Sequence, residues 1–444
     1  MGNYQSKPFR ILSLDGGGSW AVIQAMALRD MFGGSAKGRA VLGHFNLVAA
    51  NSGGSIVLAA LTTDITLDDL IAKFRDVNWR KQIFVRRRDS LWGFIKKKIG
   101  IGARYYTAKK LEGLTLALNN AMPANPMAGV LLKDLPAAAQ TPGTHYLIVG
   151  FDYDRSRGSF FRSDYASKAS SSNAALDIPL VHAVHASTNA PVNYFDEPTV
   201  WQPPTGRVRR YWDGAVTGNN NPVLAAVVEA SANGVAREDI RVLSIGTGSE
   251  FLPMWDQQGN NPQHWFQQKD DNLKLDTYVR KMATSILDDP PDSASFIAHV
   301  ALGLATNSPF PTDTSGPCLV RMSPLVQPIH LGSPGQWGLP SYAPRSQATR
   351  DYLLRRYKFD TDDAFFAALD ATDMDAVEDF EVNVIVDFCN SWLAPGGNVP
   401  NQPIRMGTNL GVDIGHRTYA QARQAAVAWA LCTSPTGTPP PLVA

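Results

Sequence analysis

Residues 9–18 read FRILSLDGGG and residues 45–61 read FNLVAANSGGSIVLAAL. Each is a short apolar run that stops at glycines and gives way to a helical pattern. In the first, the run 9–14 stops at Asp15-Gly16-Gly17-Gly18, and Ile23, Met26, Ala27 and Met31 continue at helical spacing. In the second, the run 45–50 stops at Asn51-Ser52-Gly53-Gly54 ahead of an apolar helix over 56–61. Continuous apolar strands alternating with helices are the signature of a parallel sheet covered on both faces. An α/β fold is therefore expected.

Working outward, further strands of the same type are expected at 145–151, 208–212 and 240–245, and helices at 108–119, 179–187 and 223–232. Asn- and Pro-rich connectors occupy 196–206, 253–264 and 323–346. From 361 onward the pattern is helical, through Phe365, Phe366 and Leu369 to Val382, Ile385 and Phe388. A last helix is expected over 419–431, ahead of a Pro/Thr tail. No linker divides the chain, so 1–393 reads as one domain with 394–444 packed on it.

Of the 444 residues, 44% are hydrophobic and 18% charged, which excludes a globally disordered chain. The formal net charge of +1 does not suit a general polyanion binder, and no nucleic acid partner is expected. Cys318, Cys389 and Cys432 are few, odd in number and far apart. They make neither a metal spacing nor a disulfide framework, which fits a reducing compartment. No secretory leader and no apolar stretch of membrane-spanning length is read. The expectation is a cytoplasmic protein that meets membranes peripherally. Met1-Gly2-Asn3-Tyr4-Gln5-Ser6 fits the acceptor pattern for N-myristoylation, although one acyl chain anchors only weakly.

Ser52 sits where a strand ends and a helix begins, between Ala50 and Gly53-Gly54. That is the setting of a nucleophile elbow, a turn tight enough to need small neighbours. A glycine-rich strand-to-helix turn also serves packing or phosphate binding. Gly16, Gly17 and Gly18 present backbone N–H groups that suit an anion, either a tetrahedral oxyanion or a phosphate. Their spacing matches neither the dinucleotide fingerprint nor the P-loop. For acyl transfer, such donors are each worth ~3 kcal/mol in the transition state. A serine needs a base, and Asp213 ends the expected strand 208–212. An Asp-Gly pair by itself is usually a turn former.

These residues carry a resemblance. In order along the chain, ILSLDGGG (11–18), FNLVAANSGG (45–54), ASTNAP (186–191) with Tyr194-Phe195, DGA (213–215) with NNNP (219–222), and LSIGTG (243–248) resemble the patatin-like phospholipases. The resemblance covers at least 9–250. It implies a three-layer α/β/α fold and a serine carboxylic ester hydrolase acting on lipid acyl esters. By the same resemblance Ser52 is the nucleophile, Asp213 the general base without a histidine, and Gly16, Gly17 and Gly18 the oxyanion hole. No metal and no cofactor is implied, and Asp15 belongs to the glycine motif. Two positions depart from the family pattern. Ser19-Trp20-Ala21 stands where a basic residue and a glycine usually follow the glycine run, and Ala50 replaces the elbow glycine. The departures point to a weaker oxyanion site, hence to alternative readings as a weak or inactive membrane- or ligand-binding protein or an esterase or thioesterase for small acyl esters. A Ser-His-Asp triad is the competing mechanism, with His264, His299, His330 or His416 as its third member, while His182 and His185 lie near the 186–191 motif.

Residues 79–110 read WRKQIFVRRRDSLWGFIKKKIGIGARYYTAKK, with one acid, Asp89. Cations interleaved with aromatics suit a membrane surface or a lid, and Arg86, Arg87, Arg88, Trp92, Phe94, Lys96, Lys97 and Lys98 carry that reading. A solvated basic loop with core aromatics, and a pocket for a small anionic activator, are the other two. A protein regulator is a further expected partner.

Overall fold

The computed structural model describes residues 8–87, 103–164, 177–191, 194–204, 206–250, 291–306, 316–330, 337–405 and 414–430. Nine strands are used below: β1 (Phe9–Leu14), β2 (Leu47–Ala50), β3 (His145–Asp152), β4 (Arg157–Arg162), β5 (Thr199–Trp201), β6 (Arg209–Asp213), β7 (Ile240–Ile245), β8 (Ser249–Glu250) and β9 (Cys318–Met322). All but β8 form one sheet in the order β5-β6-β3-β2-β1-β7-β9, with β4 paired to β3. The sheet is mixed and mostly parallel.

Side chains alternate across a strand, and the alternation assigns the two layers. Leu12, Leu14, Val48, Ala50, Tyr146 and Ile148 pack on one face, against helices Val22–Phe32, Ser52–Thr62 and Leu180–Thr188 and the helices of 362–393. Phe9, Ile11, Leu47, Ala49, Leu147 and Val149 pack on the other, against helices Val223–Ala232 and Pro291–Ala301. This is the three-layer α/β/α arrangement that the apolar runs require. Strands 9–14 and 240–245 fall where the pattern puts them.

One expectation is corrected. The strand at 208–212 was read as one more parallel strand, but β6 runs antiparallel to β3, pairing Gly150 with Asp213 and Asp152 with Tyr211. A strand has two edges. Because β4 pairs along β3 from Leu147 to Asp152, β2 and β6 must share the opposite edge, β2 beside 145–148 and β6 beside 150–152. The carboxyl ends of β2 and β6 therefore meet head to head across Val149. Its half-exposed Arg209-Arg210 start suits a strand near the sheet margin, where antiparallel pairing tolerates water on one face.

Past residue 393 the chain returns to the sheet: the Gln402 side chain accepts from Arg321 of β9, and Tyr419 donates to Asp30 of the first helix at 2.6 Å. Helix Tyr419–Ala425 is followed by a π-turn to Ala430, and 431–444 lie outside the described residues. Among the described residues no helix is long and apolar enough to cross a membrane.

Candidate active site

Ser52 opens the helix Ser52–Thr62 with φ at 45°, a left-handed value that costs a side-chain-bearing residue energy. The turn is held by close approach. A Cβ on Gly53 would lie 2.6 Å from the Gly18 carbonyl, and one on Gly54 would lie 2.4 Å from the Leu14 carbonyl. Both positions must stay glycine if β1's turn is to reach the elbow. Ala50 needs no such freedom: it is a regular strand residue, paired to Leu14 and Ile148, with its methyl in the core. The departure at Ala50 thus leaves the turn intact.

A polar circuit joins the elbow to β6. The Ser52 N–H donates to Ser187 Oγ at 2.9 Å, Ser187 Oγ donates to Asn51 Oδ1 at 3.3 Å, and Asn51 Nδ2 donates to Asp213 Oδ1 at 3.2 Å. The Ala215 N–H donates to the same carboxylate oxygen at 2.9 Å, and Ser52 and the carboxylate line one pocket. Burial pushes the Asp213 carboxyl above its ordinary value of 3.8. Hydrogen bonds from Ser52 and the Ala215 N–H, the charge of Lys110 and the Asn51 bond pull it back. The stretch 186–191 thereby gains a physical meaning: Ser187 braces the elbow, and the Asn189 carbonyl accepts the Asp213 N–H at 3.0 Å.

The three glycines of the first turn divide. The Gly16 N–H donates to the Asn220 carbonyl at 2.9 Å, so it is not open to an oxyanion, a correction to the three-donor expectation. Gly17 and Gly18, at φ 151° and 56°, have no acceptor for their N–H groups among the described residues and line the pocket with Ser52. The Gly53 N–H, directly after the serine, is free in the same way and was read only as part of the elbow. As the second residue of a helix it has no intrahelical acceptor. The Ser19-Trp20-Ala21 departure is absorbed by a partner loop. The Ser19 N–H donates to Met374 O at 2.8 Å, and Trp20 Nε1 donates to Asp373 O at 3.2 Å. Asp15 faces away, into a buried pair with Arg321 at 2.5 Å.

The pocket is a cleft open to solvent, with a cavity volume of about 40 Å³. Beside Ser52 and Asp213, its walls come from Ile56, Phe84, Phe195, Tyr194 and Met374, an apolar surround for the polar pair. None of the histidines lines it among the described residues: His185 Nε2 is engaged with Thr107 O, His299 Nε2 with Ala305 O, and the His330 backbone pairs with Trp337 in a two-stranded ribbon. His264 lies outside the described residues.

Residues 12–227 match the family model of patatin-like phospholipases. The chain carries a patatin-like phospholipase domain. Hydrolysis of lipid acyl esters is the general activity of that family. Twelve solved chains are similar to the protein. One, VipD from Legionella pneumophila, is 12% identical at a TM-score of 0.30, over 57% of this chain. The alignment takes in 52% of the VipD chain, about half its length. No curated protein matches. The patatin-like domain holds Ser52, Asp213 and every glycine of both turns, while Arg321 and the 373–375 loop that brace it come from beyond its matched residues.

The basic segment is corrected in part. Arg80 is buried, donating to Val377 O and Phe74 O and paired with Asp379. Lys110 is buried in the pocket wall, and Phe84 is too. These residues are core, not surface. Arg86 and Arg87 are exposed. Arg88, Trp92, Phe94, Lys96, Lys97 and Lys98 lie outside the described residues, as do Met1 to Ser6.

Proposed function

We propose that the protein is a phospholipase A-type lipid acyl hydrolase that works through an acyl-enzyme on Ser52, with Asp213 as general base. The observation that carries this reading is the strained Ser52 turn facing the Asp213 carboxylate in one apolar pocket. Ser52 Oγ attacks the ester carbonyl while Asp213 takes its proton. The N–H groups of Gly17, Gly18 and Gly53 are the donors for the oxyanion. Collapse expels the lysolipid alkoxide, which leaves with the proton from Asp213. Water then attacks the acyl-enzyme while Asp213 takes its proton, and collapse breaks the bond to Ser52 Oγ, which recovers that proton from Asp213 as the fatty acid departs. The raised proton affinity of Asp213 favours proton acceptance, as long as the group is ionised at the working pH. The substrate is met at a membrane surface by a cytoplasmic protein, a reading supported by exposed Arg86 and Arg87 at the start of the basic segment. The catalytic unit spans the whole sheet, through residue 393, with the remainder packed on it.

Fatty-acid release from anionic and zwitterionic vesicles tests this, alongside fluorophosphonate labelling with peptide mapping. Wild type is expected to turn over and to label at Ser52. Ser52→Ala is expected to lose all turnover and labelling, and Asp213→Asn at least about a thousandfold in rate. Wild-type turnover no faster than that of either variant would sink the dyad. Vesicle binding without turnover would mark a binding protein, and turnover of short p-nitrophenyl esters alone a small-ester esterase.

A further inference from the structure

Lys110 stands in the pocket wall without a part in the steps above. It lies on the helix Thr107–Ala121, 1% exposed, and lines the pocket with Ser52 and Asp213. Its ammonium donates to the Thr188 carbonyl, its one hydrogen-bond acceptor among the described residues. It sits 3.9 Å from the ring centroid of Phe195 and 5.8 Å from that of Phe84. A cation so deep in an aromatic box is costly unless a negative charge compensates it.

Two acids line the pocket. Asp375 is already engaged by the Tyr105 hydroxyl and by Arg104. Asp213 is the acid whose charge acts on Lys110. From the helix Leu180–Thr188, His182 and His185 face the same region, and burial holds both below their ordinary value, His185 down to about 3. Asp196 accepts the Thr107 N–H at the helix start. The backbone ties cation and base together: Thr188 O takes Lys110, and the next carbonyl, Asn189 O, takes the Asp213 N–H at 3.0 Å.

Building on the Ser52–Asp213 reading, we propose that Lys110 is a positioning residue for the base. Its ammonium keeps the Asp213 carboxylate ionised, and its bond to Thr188 fixes the backbone that holds Asp213. The electrostatics run the same way for both partners. Burial pushes Lys110 down to about 7 while Asp213 pulls it up, and burial pushes Asp213 up while Lys110 pulls it down. Each charge favours the other, so the two titrate as a pair. An opposite charge lowers a carboxyl's pKa. Removing it raises the pKa, so the acid limb of the rate profile moves to higher pH.

The test measures kcat/KM for p-nitrophenyl butyrate against pH on the full chain, for wild type, Lys110→Met and Lys110→Arg. The Met variant is expected to move the acid limb up by about one pH unit or more, while Arg, which keeps the charge, holds it at or below the wild-type position. In parallel, urea unfolding is followed over a double-mutant cycle of Lys110→Met and Asp213→Asn. The two changes together are expected to destabilise by less than their sum. If Lys110→Met does not fold, Lys110→Gln takes its place under the same criteria. A Met profile that superimposes on wild type, or an additive cycle, overturns the proposal. If wild type turns over no faster than Ser52→Ala, the dyad reading fails, and the cycle alone decides: coupling supports the Lys110–Asp213 link and additivity overturns it.

Discussion

At the elbow, a Cβ on Gly53 would meet both the carbonyl and the N–H of Gly18, at 2.6 and 2.8 Å, so this glycine is what lets the two turns touch. Gly53→Ala is therefore expected to push the two turns apart. It should cut ester turnover at least about a hundredfold, a size typical of losing one oxyanion donor. Ala50→Gly is the contrasting change. It restores the family's usual residue, yet Ala50 is an ordinary strand residue with a packed methyl. Its rate should stay within about twofold of wild type, and urea unfolding should show a loss of about 0.5–1 kcal/mol. A large gain in rate would mean that the alanine does strain the turn. The serine, the aspartate and the glycines were legible as residue types at strand ends. The free N–H of Gly53 and the engaged N–H of Gly16 were not, because backbone acceptors such as Asn220 O are assigned only when distant segments meet.

Among the strands, β1, β7 and β9 are stitched below the glycine turn by one buried cation. Arg321 on β9 reaches Asp15 after β1 at 2.5 Å, Ser244 on β7 at 2.8 Å and Gln402 at 2.9 Å. Burial raises the Asp15 carboxyl against the pull of Arg321. Removing one partner leaves the other buried and uncompensated, so Arg321→Met should destabilise by about 3–5 kcal/mol in urea unfolding. Asp15→Leu with Arg321→Met should cost much less than the two single changes summed. Additive single costs would show that the pair is not one unit. Asp15 was readable as part of a motif. Its partner, 306 positions away in the chain, was not.

Across the whole molecule, buried neutral histidines set the response to acid. Burial lowers His416 to about 4 and His185 to about 3, from an ordinary value of 6.5. Below about pH 6.5 the unfolded chain binds protons that the folded one refuses, so stability falls as pH drops towards those lowered values. Each such histidine contributes up to about 1.4 kcal/mol per pH unit in that window. Thermal unfolding from pH 7 to pH 4 should show the decline, and His416→Gln should flatten it; an unchanged slope would place the acid sensitivity elsewhere. The layers themselves were legible, since apolar runs broken by glycine admit little but a covered parallel sheet. Local sequence determined β1 and β7 in place and length, the two glycine turns, and the identity of the polar residues at the strand ends. Local periodicity and steric need decide those. Tertiary structure alone decided that β6 runs antiparallel, so that Asp213 meets Ser52 end to end across Val149. It also decided that Lys110 and Arg80, which read as surface charge, lie buried. A strand's direction and a cation's depth depend on which edge or cavity remains open once the rest has packed, and no local pattern encodes that.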